Sequence, residues 1–357
     1  MNELRLWVVG FGTVGRWLVG ALDSQRATLA AKYEVAPKVV GVANARDGFV
    51  YDAGGLDTQT LLGLVAGGRA ITEHPGAHSW ESSLEGLAAT EADLLVEVSS
   101  SPRDDGEPGL AHMREALGRS IPVVTSNKWP VALHGVELAE LARTHGVAFR
   151  AESTVMSGTP VLGPLVDGLA GTTPIRLRGV LNATANFVLT VMEGGKSYAQ
   201  ALAAARTAGL AERDASADVE GYDSVAKTMV LAGLVFGVQL RLESVVRRGI
   251  AGIDRSEISD ALSVNARIRL VSTVEVPNRR DPGSLEARVE PRVLPGDDLL
   301  SRIAGATNAV VLETEPVGEV AVMGPGAGLT LAGQGVLSDV IGVARERVRT
   351  TARSSEP

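Results

Sequence analysis

The feature that most constrains the fold is a glycine pattern close to the amino terminus. Gly10, Gly12 and Gly15 have the spacing Gly-x-Gly-x-x-Gly and directly follow the apolar run Leu4–Val9. A helical pattern of apolar residues comes next, and then a second apolar run, Val39–Ala43. A strand, a glycine turn, a helix and a strand in this order are typical of a site that binds a dinucleotide pyrophosphate at a helix N-terminus. We therefore predict a Rossmann-type NAD(P)-binding domain; the alternative is a glycine-rich turn that binds nothing.

The rest of the chain predicts a second domain. Strands and helices alternate up to Arg150, whereas longer strands and two alanine-rich helices follow. A chain of 357 residues also exceeds the usual size of a single core. Within the second domain, the residues from Asn278 to Gly283 predict a hairpin turn. The fold class is α/β, and the predicted parts are 1–150 (nucleotide-binding domain), 151–320 (second domain, α+β), 321–349 (C-terminal segment with a glycine turn and a helix) and 350–357 (disordered tail).

The composition limits the partners of the protein. A formal net charge of −8 is unfavourable for binding nucleic acid or an anionic membrane surface. Cysteine is absent, which excludes disulfides and agrees with a reducing cytoplasm. The first apolar run is too short for a signal peptide, and the apolar stretch Met229–Leu240 is shorter than the ~20 residues that a membrane span requires. We expect a cytoplasmic protein with a small-molecule substrate, no nucleic-acid partner and no membrane association.

The end of the second strand bears on the choice of cofactor. NAD-binding sites usually place Asp or Glu there, to accept a hydrogen bond from the ribose 2′-hydroxyl. Here Asn44 takes that position, and Arg46 follows it. A neutral residue with a nearby arginine suits a 2′-phosphate, so NADP is favoured. The alternative is that Arg46 points into solvent and Asn44 serves the ribose of NADP or NAD.

Lys128 is a candidate for the substrate crevice. Lysine is rare in this chain and occurs at only five positions, so each lysine is a candidate for a specific role. Lys128 follows a buried strand of the first domain, and the carboxyl ends of strands in open α/β sheets face the ligand. The alternative is a surface lysine in a loop.

The segment from Ala211 to Lys227 carries five acidic residues and ends on a lysine. Asp223 and Lys227 are four residues apart in a helical pattern and therefore share a face. The helix continues with apolar residues, so this pair is expected to be buried, where a lysine can serve as an acid/base. The alternatives are an ordinary surface ion pair and a divalent metal site, but the acids do not follow the calcium-loop pattern and no histidine lies among them.

Five motifs stand in the order that one enzyme family shows. They correspond to the family patterns for the nucleotide turn, ANK, EATVxxGxP, NGTxN and GxAExDPxxDvxGxDxxxK, and they read VGFGTVG (9–15), SNK (126–128), ESTVMSGTP (152–160), NATAN (182–186) and GLAERDASADVEGYDSVAK (209–227). The closing run GPGAGLTLAGQGVLSDV (324–340) is similar to the family's returning glycine turn and helix. The chain therefore resembles the homoserine dehydrogenases over almost its whole length.

The resemblance implies a reaction and an assembly. Family members reversibly reduce L-aspartate 4-semialdehyde to L-homoserine with NAD(P)H, a step of threonine and methionine biosynthesis. The second domain would be catalytic and would form a homodimer, and the C-terminal segment would pack back on the nucleotide-binding domain. The chain has no room for the C-terminal ACT domain of longer members, so it resembles the short form, and threonine feedback through such a domain is not expected.

The resemblance also assigns roles to residues. Lys227 is the implied acid/base, Asp223 lies beside it, and Lys128 lies between nicotinamide and substrate. For substrate binding, the implied residues are Glu212 and Asp218 at the amino group and the backbone of Ala183 and Thr184. The candidate cofactor residues include the two at the end of the second strand. The full set is Gly10, Gly12, Thr13, Val14, Gly15, Asn44, Arg46, Ser99, Lys128 and Gly328. A sodium ion is implied on the backbone carbonyls of Glu152, Val155, Ser157 and Thr159.

The chain departs from the family pattern at three places. Ala183 replaces a glycine next to the substrate, Ala215 replaces a proline in the acidic segment, and Ser126 replaces an alanine. These changes keep the charged residues. They leave two alternatives open: a diverged member that reduces a related amino-aldehyde or oxidises a 3-hydroxy acid, and a non-catalytic NADP-binding sensor.

Overall fold

The computed structural model describes residues 2–278 and 284–354. The chain divides into two compact units, one formed by Met1–Thr154 with Leu329–Pro357 and the other by Val155–Gly328. The elements up to the division are β1 (Asn2–Val9), α1 (Thr13–Ser24), α2 (Arg26–Tyr33), β2 (Val35–Asn44), β3 (Gly48–Tyr51), α3 (Thr58–Ala66), β4 (His78–Trp80), α4 (Ser83–Ala89), β5 (Leu94–Glu97), α5 (Gly109–Gly118), β6 (Val123–Thr125), α6 (Lys128–Thr144), β7 (Phe149–Arg150) and α7 (Ser153–Met156). The remaining elements are β8 (Thr173–Val180), α8 (Ala183–Glu193), α9 (Tyr198–Thr207), α10 (Ser216–Val219), α11 (Tyr222–Phe236), β9 (Val246–Arg247), α12 (Arg255–Ser263), β10 (Ala266–Glu275), β11 (Glu286–Pro295), β12 (Thr307–Glu315), β13 (Gly318–Pro325) and α13 (Leu329–Ser354).

The first unit contains a seven-stranded sheet with the order β4-β3-β2-β1-β5-β6-β7. The strands from β2 to β7 along this order are parallel, and β3 and β4 add an antiparallel edge. Alternate residues of β1 face opposite sides of the sheet, and both sides are covered. Leu6 and Val8 belong to one hydrophobic cluster, and Trp7 and Val9 belong to another. This is the predicted Rossmann-type arrangement, and the strand order reverses between β1 and β5, where such sheets bind their ligands.

The last helix belongs to the first unit. Apolar residues of α13, including Val336 and Val340, lie in the same cluster as Leu6 and Val8. A side chain at Gly333 would overlap the ring of Trp17, so glycine permits α13 to approach α1 closely. The predicted return of the C-terminal helix is thus observed.

The boundaries differ from the predicted ones for identifiable reasons. The Ser153 hydroxyl donates to the carbonyl of Ala332 at 2.9 Å, so the first unit extends beyond residue 150. Residues 321–325 complete β13, which pairs with β12 in the second unit. At the other end, α13 continues to Ser354, so residues 350–354 are helical and do not form the predicted disordered tail. These residues extend a helix that is already formed, and adding a turn costs less than starting a helix; residues 355–357 lie outside the described part of the chain.

The second unit contains a six-stranded sheet with the order β13-β12-β8-β10-β11-β9. Neighbouring strands are antiparallel except for β11 and β9, and the helices α8, α11 and α12 pack on the sheet. Strands β10 and β11 pair as an antiparallel hairpin would require, while residues 279–283 of the predicted turn lie outside the described residues. This α+β arrangement agrees with the predicted fold class.

Helix α11 is apolar on most of its surface. It starts after Gly221 and ends before Gly237, both with left-handed backbone angles (φ 86° and 72°). Ten consecutive residues, Ser224–Gly233, are buried, and Lys227 is among them with 8% exposure. Across residues 2–278 and 284–354, no helix has the length and hydropathy needed to cross a membrane.

Candidate active site

The glycine turn of the first unit is shaped by close backbone contacts. Gly10 has a left-handed φ of 102°, and its N–H donates to the carbonyl of Ala43 at the end of β2 at 2.9 Å. A Cβ on Gly10 would lie 2.3 Å from the backbone nitrogen of Ser99, and one on Gly15 would lie 2.2 Å from the carbonyl oxygen of Gly10. Only glycine fits either position. The turn therefore lies directly against the loop that follows β5.

The same turn leaves space beside the start of α1. A Cβ on Gly12 would meet no atom within 4 Å, so this side of the turn is open. Gly12 and Thr13 are exposed, and Val14 packs against the core below. The first N–H groups of a helix have no intrahelical acceptor, and they attract phosphate groups. The residues present thus fit a dinucleotide pyrophosphate, both by the open side at Gly12 and by the close contacts at Gly10.

The end of β2 forms a hydrogen-bonded turn. The Asn44 side chain accepts from the backbone N–H groups of Arg46 and Asp47 and donates to the Asp47 carboxylate at 2.9 Å. Arg46 also donates to Asp47, at 2.8 Å, while its side chain stays 66% exposed. This hydrogen bond from Arg46, with that from Asn44, lowers the pKa of Asp47 to about 2. Sequence reasoning missed Asp47, which partly balances the charge of Arg46.

The ends of β5 and β6 place Ser99 and Lys128. The fully buried carboxylate of Glu97 accepts hydrogen bonds from the hydroxyl and the backbone N–H of Ser99. The Asn127 amide donates to the Ser99 hydroxyl at 3.4 Å, and Lys128 is half-buried as the first residue of α6. Glu97 was missed because an acid inside an apolar strand gives no signal of its partner.

In the second unit, the predicted pair of Asp223 and Lys227 is formed. The Lys227 ammonium lies 2.9 Å from the Asp223 carboxylate, and both side chains are about nine-tenths buried (10% and 11% exposed). Lys227 also donates to the backbone carbonyl of Leu181 at 2.8 Å. Leu181 directly follows β8, so the sheet supplies this acceptor to the helix. The ammonium is thus held by one carboxylate and one carbonyl.

Asn182 connects the acids of this cluster. Its side-chain amide donates to Asp218 at 2.7 Å and to Asp223 at 2.9 Å, which bridges two carboxylates that would otherwise repel each other. Its side-chain oxygen accepts from the backbone N–H of Ala185 at 2.7 Å and caps α8. The sequence motif contains Asn182 but gives no role for its side chain. The structure thus joins Asp218, Asp223, Lys227 and Asn182 in one network.

The other predicted substrate residues surround this network. Ala183 and Thr184 are the first two residues of α8 and are buried, and the Thr184 hydroxyl donates to the carbonyl of Leu210 at 2.6 Å. Glu212 lies exposed between α9 and α10, so the structure does not bring it into the network. The turn at Ala215 is closed without the family's proline, because the Ala215 carbonyl accepts from the backbone N–H groups that follow it.

The residues implied for sodium lie around α7. Glu152 belongs to the first unit, where its N–H donates to Asp339 at 3.0 Å, and burial raises the pKa of Asp339 to about 7. Val155, Ser157 and Thr159 belong to the second unit, as does Gly328 (φ 146°), the last residue before α13. The last carbonyls of a helix lack intrahelical donors, and oxygen ligands suit a hard cation.

Comparisons with known proteins agree on one family. The family model of homoserine dehydrogenase matches residues 160–341. An NAD(+)-dependent homoserine dehydrogenase of Pseudomonas canavaninivorans is 39% identical over 98% of this chain and 98% of its own length. A homoserine dehydrogenase of Methanocaldococcus jannaschii is 33% identical over 94% of this chain and 96% of its own. Among solved structures, a hyperthermophilic archaeal homoserine dehydrogenase in complex with NADPH has a TM-score of 0.79 at 29% identity, covering 97% of this chain and 98% of that one.

Proposed function

The chain belongs to the homoserine dehydrogenase family, whose members are NAD(P)-dependent oxidoreductases acting on a CH–OH group, and from this premise we propose that Lys227 is its acid/base. The proposed reaction is the reversible conversion of L-aspartate 4-semialdehyde to L-homoserine. The observation that carries the assignment is the buried Lys227 ammonium, held by Asp223 and by the Leu181 carbonyl. When bound, the nicotinamide cofactor would supply the hydride for reduction and accept it in oxidation.

Lys227 has the donors that this role needs. An ammonium group has three N–H donors. Two of them are directed at Asp223 and at the Leu181 carbonyl, which leaves the third for a substrate oxygen. During reduction, negative charge develops on the aldehyde oxygen, and Lys227 stabilises it and transfers a proton to it. During oxidation, the neutral amine takes the proton of the homoserine hydroxyl, and Asp223 holds the lysine in position.

We propose that Asp218 of this network, together with Glu212, Ala183 and Thr184 outside it, binds the amino-acid part of the substrate. Asp218 accepts hydrogen bonds from the substrate ammonium, and Glu212 does so from the exposed side of the loop. The backbone N–H groups of Ala183 and Thr184 lie at the start of the eleven-residue helix α8, where a carboxylate is favoured. The methyl group of Ala183 narrows the space for the substrate, compared with the glycine that the family has at this position.

The proposed cofactor site uses Gly10, Gly12, Thr13, Val14, Gly15, Asn44, Arg46, Ser99, Lys128 and Gly328. Within it, we propose a preference for NADP, because the exposed Arg46 guanidinium can pair with a 2′-phosphate. The Pseudomonas relative is named as NAD(+)-dependent and the archaeal structure contains NADPH, so both cofactors occur among the relatives. Comparing kcat/KM with NADP and with NAD decides the preference.

We further propose a homodimer, a cytoplasmic location and a role in threonine and methionine biosynthesis. In the second unit, β13 is an edge strand of the sheet, and an edge strand offers backbone N–H and C=O groups with which a second copy can pair. Light scattering of the purified protein tests the dimer.

For the proposed sodium ion on the carbonyls of Glu152, Val155, Ser157 and Thr159, replacing sodium by choline in the assay should lower activity.

The assignment of Lys227 is tested by Lys227→Ala. We expect turnover of homoserine to fall about 100- to 10,000-fold, the usual contribution of a general acid/base, while NADPH binding stays intact. Lys196→Ala is the matched control, because it removes the same charge from an exposed loop. Lys227→Ala turnover equal to that of Lys196→Ala would defeat the assignment.

A further inference from the structure

We infer that Arg247 is a positioning residue, which fixes the turn between Asp218 and the pair of Asp223 and Lys227. This inference rests on the proposed function. The turn consists of Glu220 and Gly221 and joins α10, which carries Asp218, to α11, which begins at Tyr222 and carries Asp223 and Lys227. Its shape therefore decides how far the amino-group site lies from the acid/base.

The turn is held through three contacts with a single side chain. The Arg247 guanidinium donates to the backbone carbonyl of Glu220 at 2.5 Å and to the hydroxyl of Tyr222 at 3.0 Å. It also lies over the Tyr222 ring, 3.9 Å from the centroid. Glu220 and Tyr222 stand on either side of Gly221, which has a left-handed φ of 86°. Arg247 thus spans the one residue where the chain changes direction.

The backbone next to Arg247 reinforces this attachment. The Ile250 N–H donates to the carbonyl of Val219 at 2.7 Å. A Cβ on Gly249 would lie 2.4 Å from that same carbonyl oxygen, so glycine is needed for the two segments to approach so closely. The segment 247–250 is in turn anchored to the sheet, because the Arg248 N–H donates to the carbonyl of Val289 in β11 at 2.8 Å.

The contacts of Arg247 affect the separation of two carboxylates, in addition to the packing of the turn. Asp218 and Asp223 are both bonded to the Asn182 amide, at 2.7 and 2.9 Å, which requires them to stay at a fixed separation. Asn182 holds the two carboxylates directly. Arg247 holds Glu220 and Tyr222, which lie between the two acids in the sequence. A displacement of about 1 Å at reacting groups can lower a rate about 100-fold, so a released turn affects catalysis more than stability.

The experiment compares Arg247→Ala, Arg247→Lys and Tyr222→Phe, with Arg248→Ala as the matched control. Arg248 is the exposed neighbour of Arg247, and its replacement removes the same charge. Arg247→Ala should lower kcat/KM for homoserine about 10- to 100-fold, while KM for NAD(P) stays within about twofold of the control. Added guanidinium ion at millimolar concentration should restore part of the Arg247→Ala activity. Arg247→Lys should have an intermediate kcat/KM, because lysine keeps the charge but lacks the paired N–H donors of the guanidinium group.

Several outcomes overturn the inference. One is an Arg247→Ala enzyme with the same kcat/KM as Arg248→Ala. Another is an Arg247→Ala enzyme in which kcat/KM for homoserine, cofactor binding and the far-UV circular dichroism signal all decrease together. That result would indicate a general role in folding. If Arg247→Ala does not fold, wild-type kinetics in both Arg247→Lys and Tyr222→Phe overturn it as well. An inactive wild-type protein would instead remove the proposed function, and the inference would fall with it.

Discussion

The glycine turn at residues 10–15 is defined by its backbone, whereas the acidic segment at residues 211–227 is defined by charged side chains and their partners. In the turn, the missing Cβ of Gly10 allows the contact with Ser99, and hydrogen bonds of the main chain hold the rest. In the acidic segment, Lys227 and Asp223 depend on Leu181 and Asn182, which are 46 and 41 residues away along the chain. The glycine turn and the pair of Asp223 and Lys227 can thus both be located from local spacing. The partners that hold this pair, Leu181 and Asn182, appear only in the tertiary structure.

Among variants that keep Lys227, the largest effect is expected at Asn182, a distant partner of the acidic segment. Asn182→Asp keeps the oxygen that caps α8 but replaces the bridging amide by a third carboxylate. Repulsion among three acids should then lower kcat/KM for homoserine about 100-fold. Steady-state kinetics measure this, with Asn182→Ser as the comparison, since serine keeps a capping oxygen and adds no charge. If both variants act like the wild type, the bridge has no part in catalysis.

The glycine turn at residues 10–15 predicts a contrast between two glycines. Gly10→Ala places a Cβ 2.3 Å from the Ser99 nitrogen at a φ of 102°, so it should cost about 2–4 kcal/mol of unfolding free energy. Gly12→Ala meets no atom within 4 Å, so it should keep the stability and raise KM for NAD(P). Urea unfolding together with cofactor kinetics separates the two. Equal unfolding midpoints for both variants would contradict this account of the turn.

The smallest effect concerns Arg46, whose charged side chain is proposed to contact the cofactor near the glycine turn. Arg46→Ala should lower kcat/KM with NADP about 10-fold and leave kcat/KM with NAD nearly unchanged, because only NADP carries the 2′-phosphate. Asp47 already pairs with Arg46, which limits the size of the effect. Initial rates with each cofactor provide the measurement. An equal decrease with NADP and NAD would show that Arg46 supports the turn and does not select the cofactor.

Much of the fold could be predicted from local patterns. The order of β1, α1 and β2 follows from apolar periodicity and from the glycines, and the pairing of Asp223 with Lys227 follows from their spacing on a helix. The chain divides after Thr154, a few residues beyond the predicted boundary at residue 150, and the hydrogen bond from Ser153 to Ala332 joins residues 179 apart and leaves no local trace.

The partners in the site could not be predicted for a similar reason. Leu181 and Asn182 directly follow β8, which lies between β12 and β10, and their contacts with α11 join residues 41 and 46 positions apart. The buried Glu97 that holds Ser99 also has no pattern in the sequence around it. Exposure is equally a tertiary property, and Glu212, predicted from its motif, lies on the surface of its unit.

The most direct test of the central claim is the oxidation of homoserine by the purified wild-type protein. Absorbance at about 340 nm follows formation of the reduced cofactor, with NADP and NAD in parallel. The account predicts that absorbance rises only when homoserine is present, with the higher kcat/KM for NADP. No reduction of either cofactor, in a protein that still binds NADPH, would contradict it.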